Sequence, residues 1–162
     1  MKKILAMLLA LVMVLSLAAC ASTQPAAEPA ASSDAPAESG KTYTVGVCQL
    51  VQHEALDAAT QGFVDALKEA LGDAVTIDVQ NASGDSVNCG TIVNGFVSKG
   101  VDLIMANATP ALTAAVSATA DIPILGTSIT AYGVALDIDD FSGTVGGNVS
   151  GTSDLADLQK QA

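Results

Sequence analysis

The chain has 162 residues, 50% of them hydrophobic, and a formal net charge of −11 at pH 7. All 6 of its cationic residues are lysines. Proteins that bind nucleic acids need a basic face to neutralise phosphates, so this composition excludes that class of partner. Without an N-terminal leader, the length fits one domain of ordinary size.

The first twenty residues, MKKILAMLLALVMVLSLAAC, have the order of an export signal. Two lysines precede an apolar run from Ile4 to Leu17, which is shorter than the roughly 20 residues of a membrane span. The ending Leu17-Ala18-Ala19-Cys20 resembles a bacterial lipobox, which implies lipid on Cys20 and cleavage before it. We therefore expect a lipoprotein signal peptide over 1–19 and an extracytoplasmic chain anchored to the bacterial cell membrane. The alternative is an ordinary signal peptide with a chance cysteine.

A flexible tether is predicted over residues 20–41. This segment is built from alanine, serine, proline and acidic residues and has no apolar period. Such a composition buries too little surface to offset the entropy lost on ordering. The tether would hold a folded domain away from the bilayer.

Strands and helices are predicted to alternate from Lys41 onward. Strands are expected over 43–47, 75–79, 101–106 and 122–125. Helices are expected over 54–71, from Asp85 or Ser86, and from Thr109, which reads as an N-cap because Pro110 follows it. This alternation indicates an α/β fold, a Rossmann-like parallel sheet with helices on both faces. The glycine-rich stretch over 126–151 is either a flexible tail or a crossover strand, and residues 152–154 precede the pattern of another helix.

Three polar segments follow predicted strands, at 49–53, 107–110 and 126–128. In an open parallel sheet, ligands bind outside the carboxyl ends of the strands, against helix N-termini. The hydroxyl, amide and backbone N–H groups of these segments suit a carboxylate or another small polar group. The alternative is that these residues only cap helices and finish strands.

Cysteine and histidine residues give no indication of an enzyme. His53 is the single histidine, which excludes a multi-histidine metal site, and no nucleophile–base pair accompanies it. The sequence therefore predicts no catalytic residues, no metal and no cofactor. Cys48 and Cys89 are compatible with a disulfide or with two buried thiols, and free cysteines usually occupy buried positions.

Several stretches resemble the tryptophan/tyrosine-type substrate-binding proteins of ABC transporters. They are VGVCQLVQHEALDAATQGFVDALKEAL, IDVQNASGDSVNCGTIVNGFVSKGVDLIMANATPA, IPILGTSIT and GGNVSGTSD. The resemblance covers residues 43–154 in order. It implies a two-lobed, type-I periplasmic-binding fold that holds a small ligand, often an aromatic amino acid, in the cleft between its lobes.

The resemblance also implies a ligand site and partners. The cleft-lining positions map to Gln49, His53, Thr109, Pro110, Thr127, Ser128 and Asp154. The implied partners are a small ligand such as an amino acid, an ABC permease and the bilayer through Cys20. Since family members are about twice as long, we expect 42–150 to form the first lobe and 151–162 to begin a second that is missing, as in a gene fragment. The alternative function is a membrane-tethered sensor or interaction module without a transport role.

Overall fold

A computed structural model describes residues 40–154, which form a five-stranded parallel sheet with flanking helices. The strands are β1 (Tyr43–Gln49), β2 (Val75–Asn81), β3 (Leu103–Asn107), β4 (Ile124–Ile129) and β5 (Val149–Ser153). The helices are α1 (Glu54–Leu71), α2 (Ser86–Lys99), α3 (Thr109–Ala118) and the single turn α4 (Tyr132–Ala135). The predictions for residues 1–39, including Cys20, and for 155–162 lie outside the described residues.

The strand order is β2-β1-β3-β4-β5, and every neighbouring pair is parallel. The chain adds β2 on one side of β1 and then β3 on the other. This reversal creates a switch point between the carboxyl ends of β1 and β3, where open α/β sheets bind ligands. The predicted α/β fold class is confirmed.

Each face of the sheet packs against its own helices. On one face, Val45, Val47 and Met105 pack against the partly buried Phe63 and Leu67 of α1. On the other face, a larger cluster lies between the sheet, α2 and α3. It includes Phe96, Ile104, Leu112, Ile124 and Ile129. Because both faces of β3 are covered, its apolar run belongs to a central strand.

Helix capping follows the sequence prediction at α2 and departs from it at α3. The Asp85 carboxylate accepts a hydrogen bond of 2.8 Å from the Val87 N–H and caps α2, as predicted. The prediction that Thr109 caps α3 is wrong, because Ala108 occupies the N-cap and no side chain caps this helix. The helix therefore begins at Thr109, one residue earlier than an N-cap at Thr109 would place it, and Ala108, whose N–H donates to the Thr127 carbonyl at 3.0 Å, joins β3 to α3.

The boundaries of all four predicted strands differ in the structure. β1 and β2 each continue two residues beyond their predicted ends, to Gln49 and Asn81. The last predicted strand, 122–125, lies over Ile124–Ile129 because β5 supplies a pairing partner along this length, with a register shift after Gly126. The strand predicted over 101–106 lies at Leu103–Asn107. The glycine-rich stretch contains a strand, as in the crossover alternative. Over residues 40–154, no helix combines the length and hydrophobicity needed to cross a bilayer.

Candidate functional site

The predicted site segments meet in a row at the carboxyl edge of the sheet. Gln49 of β1 is paired in register with Asn107 of β3, and Asn107 is paired with Thr127 of β4. His53 and Thr109 follow these strands directly and stand at the N-termini of α1 and α3. The segments 49–53 and 107–110 lead from their strands into helices as predicted, whereas 126–128 lies within β4, which corrects the prediction that it follows the fourth strand.

Gln49 supports this edge from within. Its side chain is only 4% exposed, and its Oε1 accepts a hydrogen bond of 2.6 Å from the Thr60 hydroxyl. Its Nε2 donates to the Val51 carbonyl at 2.9 Å and to Asp57 Oδ1 at 2.5 Å. The amide is thus fully engaged inside the protein, and its role is to hold the Asp57 carboxylate in position.

Asn107 continues the same network, although sequence reasoning did not include it among the site residues. The Asn107 side chain is 0% exposed and donates to the Leu56 carbonyl at 2.8 Å and the Thr60 hydroxyl at 2.9 Å. Its Oδ1 is buried and has no hydrogen-bond partner within residues 40–154. The sequence feature that could have indicated it is a single amide side chain at the end of the otherwise apolar strand LIMAN. Asn107, Thr60 and Gln49 therefore form a buried relay that joins β3, α1 and β1.

Replacing Thr60 with valine is expected to lower the free energy of unfolding by about 1–3 kcal/mol. The shape is retained, but Gln49 Oε1 and one Asn107 N–H lose their partner in a buried position. Urea denaturation measures this loss. The matched control is Thr91→Val, since the exposed Thr91 hydroxyl bonds back to the Val87 carbonyl of its own helix at 3.2 Å. Equal losses in the two variants would contradict a structural role for the relay.

The predicted residues line two separate grooves. A groove of about 760 Å³ lies between α1 and the ends of β1 and β2, with Gln49, Asp57, Thr60 and Asn81 on its walls. A second groove, of about 480 Å³, lies between α2 and α3 and follows α3 from Thr109 and Pro110 to Ala118. Gln49 and Thr109 thus border different concavities.

The remaining predicted residues have varied structural roles. His53 Nδ1 accepts a hydrogen bond of 3.3 Å from the Ala55 N–H, so the imidazole caps α1. The Thr127 hydroxyl lies 3.4 Å from that of Thr152. Ser128 has a positive φ of 57°, and the Asp154 N–H donates to the Ile129 carbonyl at 3.1 Å. These four residues place polar atoms along the edge, and none of them lines either of the two grooves.

Tyr132 joins β4 to β5 at this edge, a role that no local sequence pattern indicated. Its side chain is 6% exposed, and its hydroxyl lies 2.9 Å from the Gly126 carbonyl and 3.3 Å from the Thr152 carbonyl. Since a phenol carries one proton, the two carbonyls share a single donor. The hydroxyl thereby fixes the distance between the strand that bears Thr127 and the strand that bears Thr152.

Tyr132 is expected to make stability fall at alkaline pH. Burial raises the pKa of the Tyr132 phenol above its ordinary value of 10.0, so the folded state retains a proton that the unfolded state has lost. This contribution is complete below pH 10.0 and is lost as pH rises through the higher folded pKa. The chain has 2 tyrosines, so in a Tyr43→Phe variant the phenolate absorbance reports Tyr132 alone. A titration midpoint at or below the ordinary value would contradict this prediction, and Tyr132→Phe should flatten the pH profile of stability.

Charges are distributed unevenly between the two ends of the sheet. The lysines of the described segment are Lys41, which precedes β1, and Lys68 and Lys99, which lie in the last turns of α1 and α2. All three are therefore at the amino edge of the sheet. The carboxyl edge presents acidic residues, including Asp57, together with helix N-termini. Anionic groups of a ligand would here be met by N–H groups and hydroxyls, and cationic groups by carboxylates.

Metal coordination has no support in this part of the chain. Within residues 40–154, no group of three or more histidine, cysteine, aspartate or glutamate side chains is arranged to hold a metal ion. The chemistry offered by the carboxyl edge is hydrogen bonding and charge complementarity to a small molecule.

Comparison with known proteins agrees with this geometry. Residues 44–162 match the family described as ABC transporter substrate binding protein. A tyrosine-binding protein of Clostridioides difficile (strain R20291) is 39% identical over 98% of this chain, which spans 46% of that relative's length.

Solved structures show the same similarity. A ligand-free, open structure of a substrate binding protein with adhesive properties from Clostridium difficile is 41% identical, with a TM-score of 0.66 over 74% of this chain and 41% of its own. A Streptococcus pneumonia structure described as an ABC domain in complex with L-Trp is 35% identical, with a TM-score of 0.67 over 74% of this chain and 41% of its own. The chain thus spans less than half the length of these relatives. It belongs to the ABC transporter substrate-binding protein family.

Proposed function

We propose that this chain is the solute-binding component of an ABC importer and takes up an amino acid, with an aromatic one favoured. The observation that supports this best is the row Gln49–Asn107–Thr127 at the switch point of the parallel sheet. The relatives described as binding tyrosine or L-Trp support the ligand class. Delivery would be to an ABC permease in the membrane, and an extracytoplasmic location follows from that role.

The ligand is proposed to lie across the carboxyl edge, with its two charged ends recognised differently. The Asp57 carboxylate has one oxygen held by Gln49, and it forms part of the wall of the larger groove. It would pair with the ligand's ammonium group. The ligand's carboxylate would meet the N-terminus of α3, where the Thr109 hydroxyl is exposed and has no hydrogen-bond partner within residues 40–154. His53, Pro110, Thr127, Ser128 and Asp154 are the other proposed contact residues.

Residues 42–150 are proposed to form one ligand-binding lobe, with 151–162 leading into a second. A ligand held by one lobe alone leaves its polar contacts in competition with bulk water, so each hydrogen bond adds little net free energy. We therefore expect residues 1–162 to bind amino acids with a Kd weaker than about 100 μM. A chimera that continues after Asp154 with the second half of an L-Trp-binding relative should reach low micromolar Kd values.

Isothermal titration calorimetry against L-Trp, L-Tyr and the other amino acids tests this proposal on both proteins. Micromolar binding by the short chain would contradict the two-lobe requirement, and no binding by a folded chimera would contradict the function. In the chimera, Thr109→Val should weaken binding at least about tenfold with stability unchanged, because this hydroxyl caps no helix. Thr91→Val, at an exposed position of α2 outside both grooves, is the matched control and should bind as the parent does.

We also propose that Cys20 is the mature N-terminus and carries lipid, with residues 20–41 as the tether to the bilayer. The support is the apolar run that ends in Leu17-Ala18-Ala19-Cys20. Mass spectrometry of the membrane fraction of the native host measures the mature terminus and its acyl mass. A chain that begins elsewhere, or one without acyl mass, would contradict lipid anchoring.

A further inference from the structure

Two buried thiols from different elements lie beneath the carboxyl edge of the sheet. Cys48 directly precedes Gln49 at the end of β1, and Cys89 lies in the first turn of α2. Both side chains are 0% exposed, and both belong to the cluster between the sheet and its second helical layer. Both thiols are free, which agrees with the buried-thiol alternative of the sequence analysis.

The packing of α2 on β1 places these thiols against each other. A Cβ added at Gly46 would lie 2.5 Å from the Phe96 ring, so this ring covers Gly46. Cys48 lies on the same sheet face as Gly46, because side chains alternate along a strand. Cys89 precedes Phe96 by roughly two helical turns and shares its helix face. Since a helix between parallel strands runs back along the sheet, the helix carries Cys89 toward Cys48.

The two thiols also affect each other's protonation. Hydrogen bonding between them raises the pKa of Cys48 and lowers that of Cys89, which agrees with their placement side by side. The two thiols belong to residues that are distant in sequence, in a setting otherwise filled by the apolar side chains of Ala82 and Val93. A pair of thiols side by side is the arrangement from which an intramolecular disulfide forms.

We propose that Cys48 and Cys89 are a disulfide-forming pair that ties β1 to α2 under the candidate ligand-binding edge when the chain folds under oxidising conditions. Disulfides persist outside the cytoplasm, which is where the proposed function places this domain. The inference rests on the placement of the thiols side by side and is independent of which ligand the domain binds.

The folded protein protects the pair from oxidation. The pKa of Cys48 is raised to about 12, mainly by burial and in addition by the charge of Cys89 and a hydrogen bond with it. Burial also raises the pKa of Cys89, although the hydrogen bond from Cys48 opposes this shift. Because the thiolate is the nucleophile, the reaction belongs to folding or to an opened state.

The reaction balances with a disulfide oxidant such as oxidised glutathione. The Cys89 thiolate, having lost its proton to water, attacks one oxidant sulfur, forms a mixed disulfide and releases one glutathione thiolate. The Cys48 thiol then loses its proton and displaces the second glutathione thiolate. The chain gives up two protons and two electrons, and the oxidant is reduced to two thiols.

Refolding of a full-length Cys20→Ala chain tests the proposal, since it leaves Cys48 and Cys89 of the 3 cysteines. The protein is denatured, reduced and refolded in a buffer of reduced and oxidised glutathione or in dithiothreitol. Oxidative refolding should give a monomer whose intact mass has lost two hydrogen atoms and which has no thiol reactive in denaturant. Its Tm should exceed that of the reduced protein by at least about 5 °C.

Single Cys48→Ala and Cys89→Ala chains are the controls and should show no oxidant-dependent change in Tm. Two reactive thiols after oxidative refolding would overturn the proposal. Glutathione adducts or disulfide-linked dimers as the main product would overturn it equally. Should either alanine variant fail to fold, the Cys20→Ala chain still decides the matter, because its Tm is compared with and without dithiothreitol.

Discussion

Replacing Gly46 with alanine is expected to lower the free energy of unfolding by about 3 kcal/mol, at the upper end of the usual cost of overpacking. An added Cβ would lie 2.5, 2.6 and 2.9 Å from three ring carbons of Phe96, distances that require the ring to move. Phe96 is 0% exposed and is packed on all sides, so it has no space into which to retreat. Urea denaturation followed by far-ultraviolet circular dichroism measures the loss.

Gly95→Ala is the matched control for this substitution. Gly95 lies beside Phe96 in α2, and an added Cβ there meets no atom within 4 Å. Alanine should therefore stabilise the helix by about 0.5–1 kcal/mol. A second variant, Gly46→Ala with Phe96→Leu, should cost less than the sum of its single changes, since the smaller side chain makes room. A loss below about 1 kcal/mol in the free energy of unfolding of Gly46→Ala would contradict this prediction, because it would mean that the Phe96 ring can move aside without strain.

Replacing Gly151 with alanine is expected to separate β5 from the sheet. The added Cβ would meet the Gly126 carbonyl oxygen and the Tyr132 hydroxyl well inside contact distance, and it would lie 2.8 Å from the Gly126 nitrogen. Two of these atoms belong to the backbone of β4, which cannot move away without breaking its pairing with β3. We expect a loss of about 2–3 kcal/mol in the free energy of unfolding.

Amide hydrogen exchange distinguishes this local separation from general destabilisation. In Gly151→Ala the amide of Asp154, which donates to the Ile129 carbonyl, should exchange faster, while the amide of Ile104 in the central sheet stays protected. Ser150→Ala, at an exposed neighbouring position in β5, should leave both amides unchanged. Uniformly faster exchange across the sheet would contradict a role confined to the edge strand.

The fold was predictable because its signals are local. β1, β3 and the start of β4 are short apolar runs, β2 alternates apolar and polar residues, and α1 and α2 have apolar residues at helical spacing. Asp85 was recognisable as a cap because an N-cap needs only a short polar side chain at the right place. The start of α3 was predicted one residue late, because Thr109 followed by Pro110 has the local pattern of an N-cap, whereas Ala108 takes that place directly after β3, with its N–H bonded to the Thr127 carbonyl of a neighbouring strand.

The location of the candidate site at the carboxyl edge of the sheet was predictable from the sequence. The hydrogen bonds between its side chains were not. The segments after β1 and β3 were identified because ligand sites follow the carboxyl ends of parallel strands, whereas 126–128 proved to be part of β4 because β5 extends the pairing of this strand. The buried relay was missed, since Thr60 lies within α1 and reads as an ordinary helix residue until Gln49 and Asn107 are seen on either side of it. Tyr132 was missed for the same reason: both carbonyls that it contacts belong to other elements.

The attachment of β5 has a mechanical consequence for any chain that continues beyond Asp154. β5 runs parallel to β4, and its carboxyl end is held by the Tyr132 hydroxyl and by the Asp154 N–H bonded to Ile129. A force along the strand axis would act on all the hydrogen bonds between β4 and β5 at once. A force perpendicular to the strand would break them one after another, beginning at Asp154. Force from an attached lobe would thus reach the Asp154–Ile129 and Ser153–Thr130 hydrogen bonds first and the Thr127–Thr152 pair next. A force on the segment after β5 would therefore be transmitted to the part of β4 that carries the candidate ligand contact Thr127.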